Sequence, residues 1–272
     1  MNLFHFVILA IIQGVTELFP ISSLGHAILF TKFFHLGIDL KSDAFLPLLV
    51  ALHLGTATAL LVYFWKDWVE FLQPNKQHSV FGETNKNVLL YLILGTIPAG
   101  IAGLLLEKKL AILFGNPFWV EIFLFLNGVV LIVGEWAKHR NKTKDATKLT
   151  KNKALIIGTC QIIALLPGFS RSGATLVAGL LLGFSYEAAA HFSFLLATPI
   201  IFAAGVKEMP KLLKMDMHTI ILPAIVGGIV AGIFAYISTA FLMRYLKMRE
   251  FYLLLPFGIY CMIISVIFLL MR

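Results

Sequence analysis

The chain is 272 residues long, 59% hydrophobic and only 13% charged, whereas an ordinary soluble domain has roughly 45–50% apolar and about 25% charged residues. A mean hydropathy of +0.90 sustained over the whole length excludes a soluble domain hung on a single anchor and any large disordered region. The formal charge is +8, but no basic stripe with interleaved aromatics accompanies it; the excess reads as loop charge that orients a membrane protein, and no nucleic-acid partner is expected.

The start, Met1-Asn2-Leu3-Phe4-His5, lacks the basic flank and cleavage site of a signal peptide and is expected to stay in the mature protein. A first apolar region, about 3–30, is too long for one crossing and too short for two. It is broken at Phe19-Pro20-Ile21-Ser22-Ser23-Leu24-Gly25-His26. Spans follow near 45–65, 88–106 and 118–136, each able to cross about 30 Å of hydrocarbon. A second broken region, 154–183, is interrupted at Pro167-Gly168-Phe169-Ser170-Arg171-Ser172-Gly173. In both breaks Pro and Gly end one helix and Ser can cap the next, the pattern of a re-entrant hairpin. Spans near 188–206, 219–243 and 251–271 bring the expected total to about six crossings. Cys160 and Cys261 lie in apolar stretches as packing residues, and Trp65, Trp68, Trp119 and Trp136 sit at span ends, as an aromatic belt places them.

Superposing Pro20 on Pro167 puts Ser23 on Ser170 and leaves Gly25 one position from Gly173. The small-residue run Leu94 to Gly103 is echoed by Leu222 to Gly232. The chain therefore reads as one all-α, polytopic integral membrane domain over 1–272. Repeat one covers about 1–107, a linking span 118–136, repeat two about 154–243 and a final span 251–271. A single linking span starts the second copy on the opposite face, so the repeats are expected to be inverted, each with a re-entrant helical hairpin. Lys and Arg concentrate in 137–153, with further basic residues in 66–87 and 244–250, which makes that side cytoplasmic and both termini outward.

A charge inside the apolar core is costly, so Glu17 and Arg171, one at each break, are functional candidates, with a structural ion pair as the plainer alternative. Gln13 and Glu17 are four apart and share a helix face, offering two oxygens that suit a hard cation, Mg²⁺ or Ca²⁺, completed by water and phosphate. Ser22, Ser23 and His26 share a face if a helix restarts there, as a nucleophile and a proton carrier would; an N-cap serine beside an interfacial histidine is the bland counterpart. Ser170, Arg171, Ser172, Gly173 and Thr175, after Gly168, gather a guanidinium, hydroxyls and free backbone N–H groups at a helix start, a composition suited to phosphate. With apolar walls around it, the rest of the ligand should be lipid. His53, His191, Glu121, Asn127 and Glu135 rank lower: each could line a cavity, but an interfacial or packing role is the first expectation.

The two loops together, Gln13-Gly14-Val15-Thr16-Glu17-Leu18-Phe19-Pro20-Ile21-Ser22-Ser23-Leu24-Gly25-His26 and Pro167 through Thr175, resemble the signature regions of the bacterial undecaprenyl-pyrophosphate phosphatase family, also called bacitracin-resistance proteins. The resemblance implies a multi-pass enzyme of the bacterial inner membrane. Such an enzyme hydrolyses undecaprenyl pyrophosphate to undecaprenyl phosphate and orthophosphate, renewing the carrier lipid for peptidoglycan synthesis, with a pocket open to the outer side. It places cation and substrate binding on Gln13 and Glu17, and matches the serine-pair and histidine motif to Ser22, Ser23 and His26. The Pro-Gly-x-Ser-Arg-Ser motif falls on Pro167 through Ser172. Gln13 stands where Glu is frequent, and Leu24 where Thr is usual.

On this reading Ser23 is the expected nucleophile, with direct attack by water as the alternative, His26 the proton carrier and Arg171 the clamp on the transferring phosphoryl group. Glu17 with Gln13 would hold the cation; Ser22, Ser170, Ser172, Thr175, Gly168 and Gly173 would line the phosphate. Membrane lipid is the other expected partner, and a homo-oligomer is compatible with the sequence. A transporter or flippase of a phosphorylated lipid is the alternative, since inverted repeats with broken helices also build carriers, which need no nucleophile.

Overall fold

The structure is a computed structural model that describes residues 3–34, 42, 44–114, 116–140, 148–247 and 252–271. Its regular elements among the described residues are helices: α1 (Leu3–Thr16), α2 (Ser23–Phe33), α3 (Phe45–Tyr63), α4 (Trp65–Glu70), α5 (Asn85–Phe114) and α6 (Pro117–Arg140), followed by α7 (Lys151–Cys160), α8 (Arg171–Leu181), α9 (Tyr186–Leu212), α10 (Leu222–Leu246) and α11 (Leu255–Leu270). Helices satisfy every backbone group internally, which hydrocarbon demands. Five of them are long and apolar enough to cross a membrane, and α1 and α11 are shorter apolar helices.

The expected spans fall on α3, α5, α6, α9, α10 and α11. The bounds differ most at α5, at α9, which runs to Leu212 past its expected end at 206, and at α11. α5 runs to Phe114, past its expected end at 106, because Leu104 to Phe114 continues as good helix former up to the Asn116-Pro117 restart. α11 has 16 residues, or about 24 Å at about 1.5 Å per residue, less than a full hydrocarbon thickness of about 30 Å. The loop charges behind the expected orientation fall partly on 141–147 and 248–250, outside the described residues.

Both interrupted regions fold as two helices around a break. The first turns over residues 17–22 between α1 and α2; the second tightens into a 3-10 turn, Gln161–Leu165, before α8. Serine caps each restart: the Ser22 hydroxyl accepts from Gly25 N at 3.2 Å and the Ser170 hydroxyl from Gly173 N at 3.0 Å. Beyond the breaks the order of long helices is the same in each half, α3 then α5 and α9 then α10, with α6 between the halves and α11 at the end.

The halves interlock. α1 packs along α10, α7 along α5, and α3 along both α9 and α10. Two glycines permit the first two contacts: a Cβ on Gly14 would stand 2.4 Å from the Ala231 carbonyl oxygen, and one on Gly158 would stand 2.0 Å from that of Gly95. α9 is the most enclosed of the long helices, with Phe192 and Phe194 fully buried. α5 is the least enclosed, presenting Leu90, Ile93, Ile97, Ile101 and Leu104 outward at helical spacing, a lipid-facing stripe. Trp65, Trp119 and Trp136 are exposed at helix ends, while Trp68 is half-buried against Phe71.

Candidate active site

The two breaks touch. A Cβ on Gly25 would lie 3.3 Å from Gly168 Cα, and the Ser172 hydroxyl donates to the Phe19 carbonyl at 3.1 Å. Gly168 has φ +113°, and a Cβ there would come within 2.4 Å of the Val120 carbonyl oxygen, so glycine is required on both counts. Asn127 of α6 ties the breaks together. Its amide nitrogen donates to the Pro20 carbonyl at 2.9 Å, and its oxygen accepts from Ser170 N at 3.0 Å. This residue, expected only as a packing or cavity position, thus braces both loops from the linking helix.

Glu17 sits at the junction, 7% exposed, and gathers four donors or facing groups. The Ser23 hydroxyl donates to Oε2 at 2.5 Å and Gln13 Nε2 donates to the same oxygen at 2.8 Å. Arg171 Nη2 reaches Oε1 from the other break at 3.2 Å, and Nη1 donates to the Ser193 carbonyl at 3.2 Å. His53 Nε2 faces Oε2 at 3.3 Å, with Nδ1 2.8 Å from the Leu49 carbonyl oxygen. Desolvating a carboxylate here is offset by two nitrogen-bearing cationic or polar arms and two hydrogen bonds, the arrangement a buried charge needs to persist.

The remaining candidates divide. His26 is 1% exposed and does not bond Ser23: its Nδ1 lies 2.7 Å from the Ser22 carbonyl oxygen and its Nε2 2.8 Å from the Tyr260 hydroxyl. Ser170 and Ser172 hydroxyls lie 3.0 Å apart, and Thr175, fully buried, bonds the Arg171 carbonyl at 2.8 Å and the Ser193 hydroxyl at 2.6 Å. Those second-break hydroxyls are engaged in bracing the helix restart. Gly173 packs against Ser170 and Asn127.

Gln13 and Glu17 are brought to one place as their spacing requires. With Nε2 on the carboxylate, Gln13 Oε1 is buried and has no hydrogen-bond partner among the described residues. Among those residues no group of three or more His, Cys, Asp or Glu could hold a metal ion. One carboxylate and one unspent amide oxygen fit a hard cation that draws most of its shell from phosphate oxygens and water.

The motifs did not flag three residues that reach the site. His53 arrives from α3, Ser193 from α9 and Tyr260 from α11, each far from the breaks in sequence and joined to them only by packing. The other low-ranked polar residues pack elsewhere. Glu135 accepts from the Tyr186 hydroxyl at 2.7 Å and from Leu254 N at 3.2 Å, His191 Nε2 lies 2.5 Å from Asp67 Oδ1, and the Glu121 carbonyl accepts from Ser265 at 2.6 Å.

Two interlocked halves whose broken helices meet on a buried polar junction define a multi-pass membrane protein with a site built from discontinuous helices. The bacitracin resistance protein BacA family model matches residues 6–267, and the chain belongs to that family. It is 46% identical to the undecaprenyl-diphosphatase 2 of Chromobacterium violaceum over 274 residues, covering 100% of this chain and 99% of that one. It is also 46% identical to the undecaprenyl-diphosphatase 2 of Burkholderia ambifaria over 99% of this chain and 96% of the relative. The undecaprenyl-diphosphatase of Acidiphilium cryptum is 44% identical over 94% and 93%, respectively.

Proposed function

We propose that this chain is an undecaprenyl pyrophosphate phosphatase of the bacterial inner membrane, releasing orthophosphate and undecaprenyl phosphate for peptidoglycan synthesis and thereby conferring bacitracin resistance. The observation that carries this reading is the convergence of Ser23 and Arg171, from opposite breaks, on one carboxylate. The names of full-length relatives supply the substrate. An anion carrier would need Arg171 but no hydroxyl 2.5 Å from a base.

Ser23 attacks the terminal phosphorus. Its Oγ–P bond forms as the bond from that phosphorus to the bridging oxygen breaks, and undecaprenyl phosphate leaves with the bridging oxygen. The Ser23 proton passes to Glu17 Oε2, the acceptor already bonded to it. Water then attacks the phosphoserine, orthophosphate departs, and the proton returns to Ser23. Arg171, whose fork spans Glu17 and the Ser193 carbonyl, is placed to turn onto the transferring phosphoryl oxygens. The backbone at Gly168 and Gly173 and the hydroxyls of Ser22, Ser170, Ser172 and Thr175 shape the cradle behind it.

Gln13 Oε1 and Glu17 would hold Mg²⁺ or Ca²⁺, which when bound neutralises charge on the pyrophosphate. His26, turned from Ser23, is assigned to the proton economy of the leaving oxygen. The two halves are read as inverted repeats over about 1–107 and 154–243, a reading supported by their matched element order and by the paired contacts α1 with α10 and α7 with α5. The site is assigned to the outer side, with 137–153 cytoplasmic; labelling of residues 141–150 from outside intact cells would invert that topology.

The test is orthophosphate release from a polyprenyl pyrophosphate by the purified protein in lipid-supplemented detergent, with Mg²⁺ or Ca²⁺ and then with a chelator. Cation-dependent release lost in Ser23→Ala and Arg171→Ala supports the reading. No release by folded wild-type protein would favour the carrier.

A further inference from the structure

α11 stands outside the matched order of the two halves, yet it supplies a side chain to the junction. It is seated on α6 at a glycine contact: a Cβ on Gly258 would lie 3.0 Å from the Gly128 carbonyl oxygen, and a Cβ on Gly128 would lie 2.6 Å from that of Gly258. One residue beyond Tyr260, the Cys261 sulfur is 3.5 Å from Asn127 Nδ2. Phe257, three residues before Tyr260, packs on Phe19 of the first break with ring centroids 5.5 Å apart. α11 is therefore held in fixed register against both the linking helix and the first break.

From that position the Tyr260 hydroxyl reaches His26 Nε2 at 2.8 Å, and the two rings are parallel within 6° with centroids 5.6 Å apart. The other ring nitrogen, Nδ1, lies 2.7 Å from the Ser22 carbonyl oxygen. A carbonyl oxygen only accepts, so the ring proton belongs on Nδ1; Nε2 then presents a lone pair, and the Tyr260 O–H donates to it. Both nitrogens are thereby satisfied in a site where His26 is 1% exposed. Tyr260 is 39% exposed and reaches inward from the outer face of α11.

We infer that Tyr260 is a positioning residue for the reaction: it fixes His26 in the Nδ1–H tautomer and holds Nε2 as an acceptor at the junction, where a P–OH of the pyrophosphate headgroup replaces the phenol as the donor to that nitrogen. The inference rests on the phosphatase reading. Without the phenol hydroxyl, a buried Nε2 has no partner, and the ring gains access to the other tautomer and to rotamers that turn it from the headgroup. The final helix thus completes a site that the two repeats leave one hydrogen bond short.

The test is Tyr260→Phe, which keeps the ring against His26 and removes only the oxygen. Orthophosphate release from a polyprenyl pyrophosphate should fall about tenfold in kcat, the scale of one ordinary hydrogen bond, with KM within about twofold. In protein labelled with ¹⁵N-histidine, the His26 signals, assigned by their loss in His26→Asn, should show the Nδ1-protonated form in wild type and a tautomer mixture in Tyr260→Phe. A purely structural Tyr260 would lower thermal stability and leave that pattern intact. Wild-type kcat together with unchanged ¹⁵N signals in Tyr260→Phe overturns the inference. Wild-type protein that releases no orthophosphate overturns the phosphatase reading instead, while the tautomer comparison still decides the role of Tyr260.

Discussion

The two breaks use the same punctuation and put it to different use. Each ends one helix near a proline and restarts another under a serine cap. Superposing Pro20 on Pro167 sets Glu17 against Ala164 and Leu24 against Arg171. Neither charge has a counterpart, so the ion pair can form only between the halves and never within one. The first break turns its polar groups outward to the junction, with Ser22 held at φ 68°, a costly conformation for a residue other than glycine. The second commits its hydroxyls to protein partners, the Phe19 carbonyl and Ser193 among them, and extends one guanidinium. Under the proposed function the first loop would carry the reacting groups, and the second would brace the site and supply the guanidinium.

The largest effect should come from breaking the pair that joins the loops. Arg171→Ala is expected to lower kcat/KM by about a thousandfold, the scale for removing a positioned transition-state donor. Arg171→Lys should recover less than about a tenth of that loss, since an ammonium cannot span both Glu17 Oε1 and the Ser193 carbonyl as the fork does. Steady-state kinetics of both variants decide it, and a lysine enzyme near wild-type rate would reduce Arg171 to a point charge.

The matched serines test the division of labour directly. Ser23→Ala should abolish turnover, and removing a donor from the buried Glu17 carboxylate should also lower Tm. Ser170→Ala should lose a helix cap, about 1 kcal/mol, seen as a lower Tm, and should lose far less turnover than Ser23→Ala. Equal loss of turnover in both would mean that the Ser170 hydroxyl also takes part in the chemistry.

Asn127 allows the loops to be uncoupled with less damage. Asn127→Asp keeps an oxygen for Ser170 N and removes the donor to the Pro20 carbonyl, so the first break should loosen while the second stays capped. Asn127→Ala releases both and should cost about 1–3 kcal/mol. Denaturation curves for the two variants should rank wild type, then aspartate, then alanine; alanine matching aspartate would show that the bond to Ser170 holds nothing.

How far the sequence carried follows from what kind of interaction built each part. The spans, the two breaks and the Gln13–Glu17 face are set by local pattern, so periodicity and punctuation expose them. The meeting of Glu17 with Arg171 was accessible through the cost of isolated charge in an apolar segment. Ser193 and Tyr260 were not, and His53 ranked only low, because each lies mid-helix in an apolar run and is joined to the breaks only by tertiary packing. The second-break hydroxyls illustrate the converse: their composition suits phosphate, but the close approach of two helix restarts gives Ser172 and Thr175 protein partners first. The excess length of α5 and the shortness of α11 reflect helix propensity and chain ends, which hydropathy windows blur.

The smallest expected effect lies where the halves touch away from the breaks. Asp67 of α4 is bonded by His191 Nε2 of α9 at 2.5 Å and faces His78 Nε2 at 3.4 Å. Burial alone would raise the Asp67 carboxyl; the hydrogen bonds and charge of the two imidazoles outweigh it and hold it well below the ordinary carboxylate value. A carboxyl depressed in the folded state adds stability at pH values above its unfolded pKa. That stability is lost as pH falls from the ordinary carboxylate value through the depressed one. Asp67→Asn should therefore lower Tm by about 2–4 °C at neutral pH, and the gap to wild type should narrow as the medium is acidified below about pH 4. Orthophosphate release at neutral pH should be unaffected, since no atom of this cluster bonds the breaks. A gap that stays constant with acidification would remove Asp67 from the pH dependence of folding, and a loss of turnover would mean that this contact, too, sets the distance between Glu17 and Arg171.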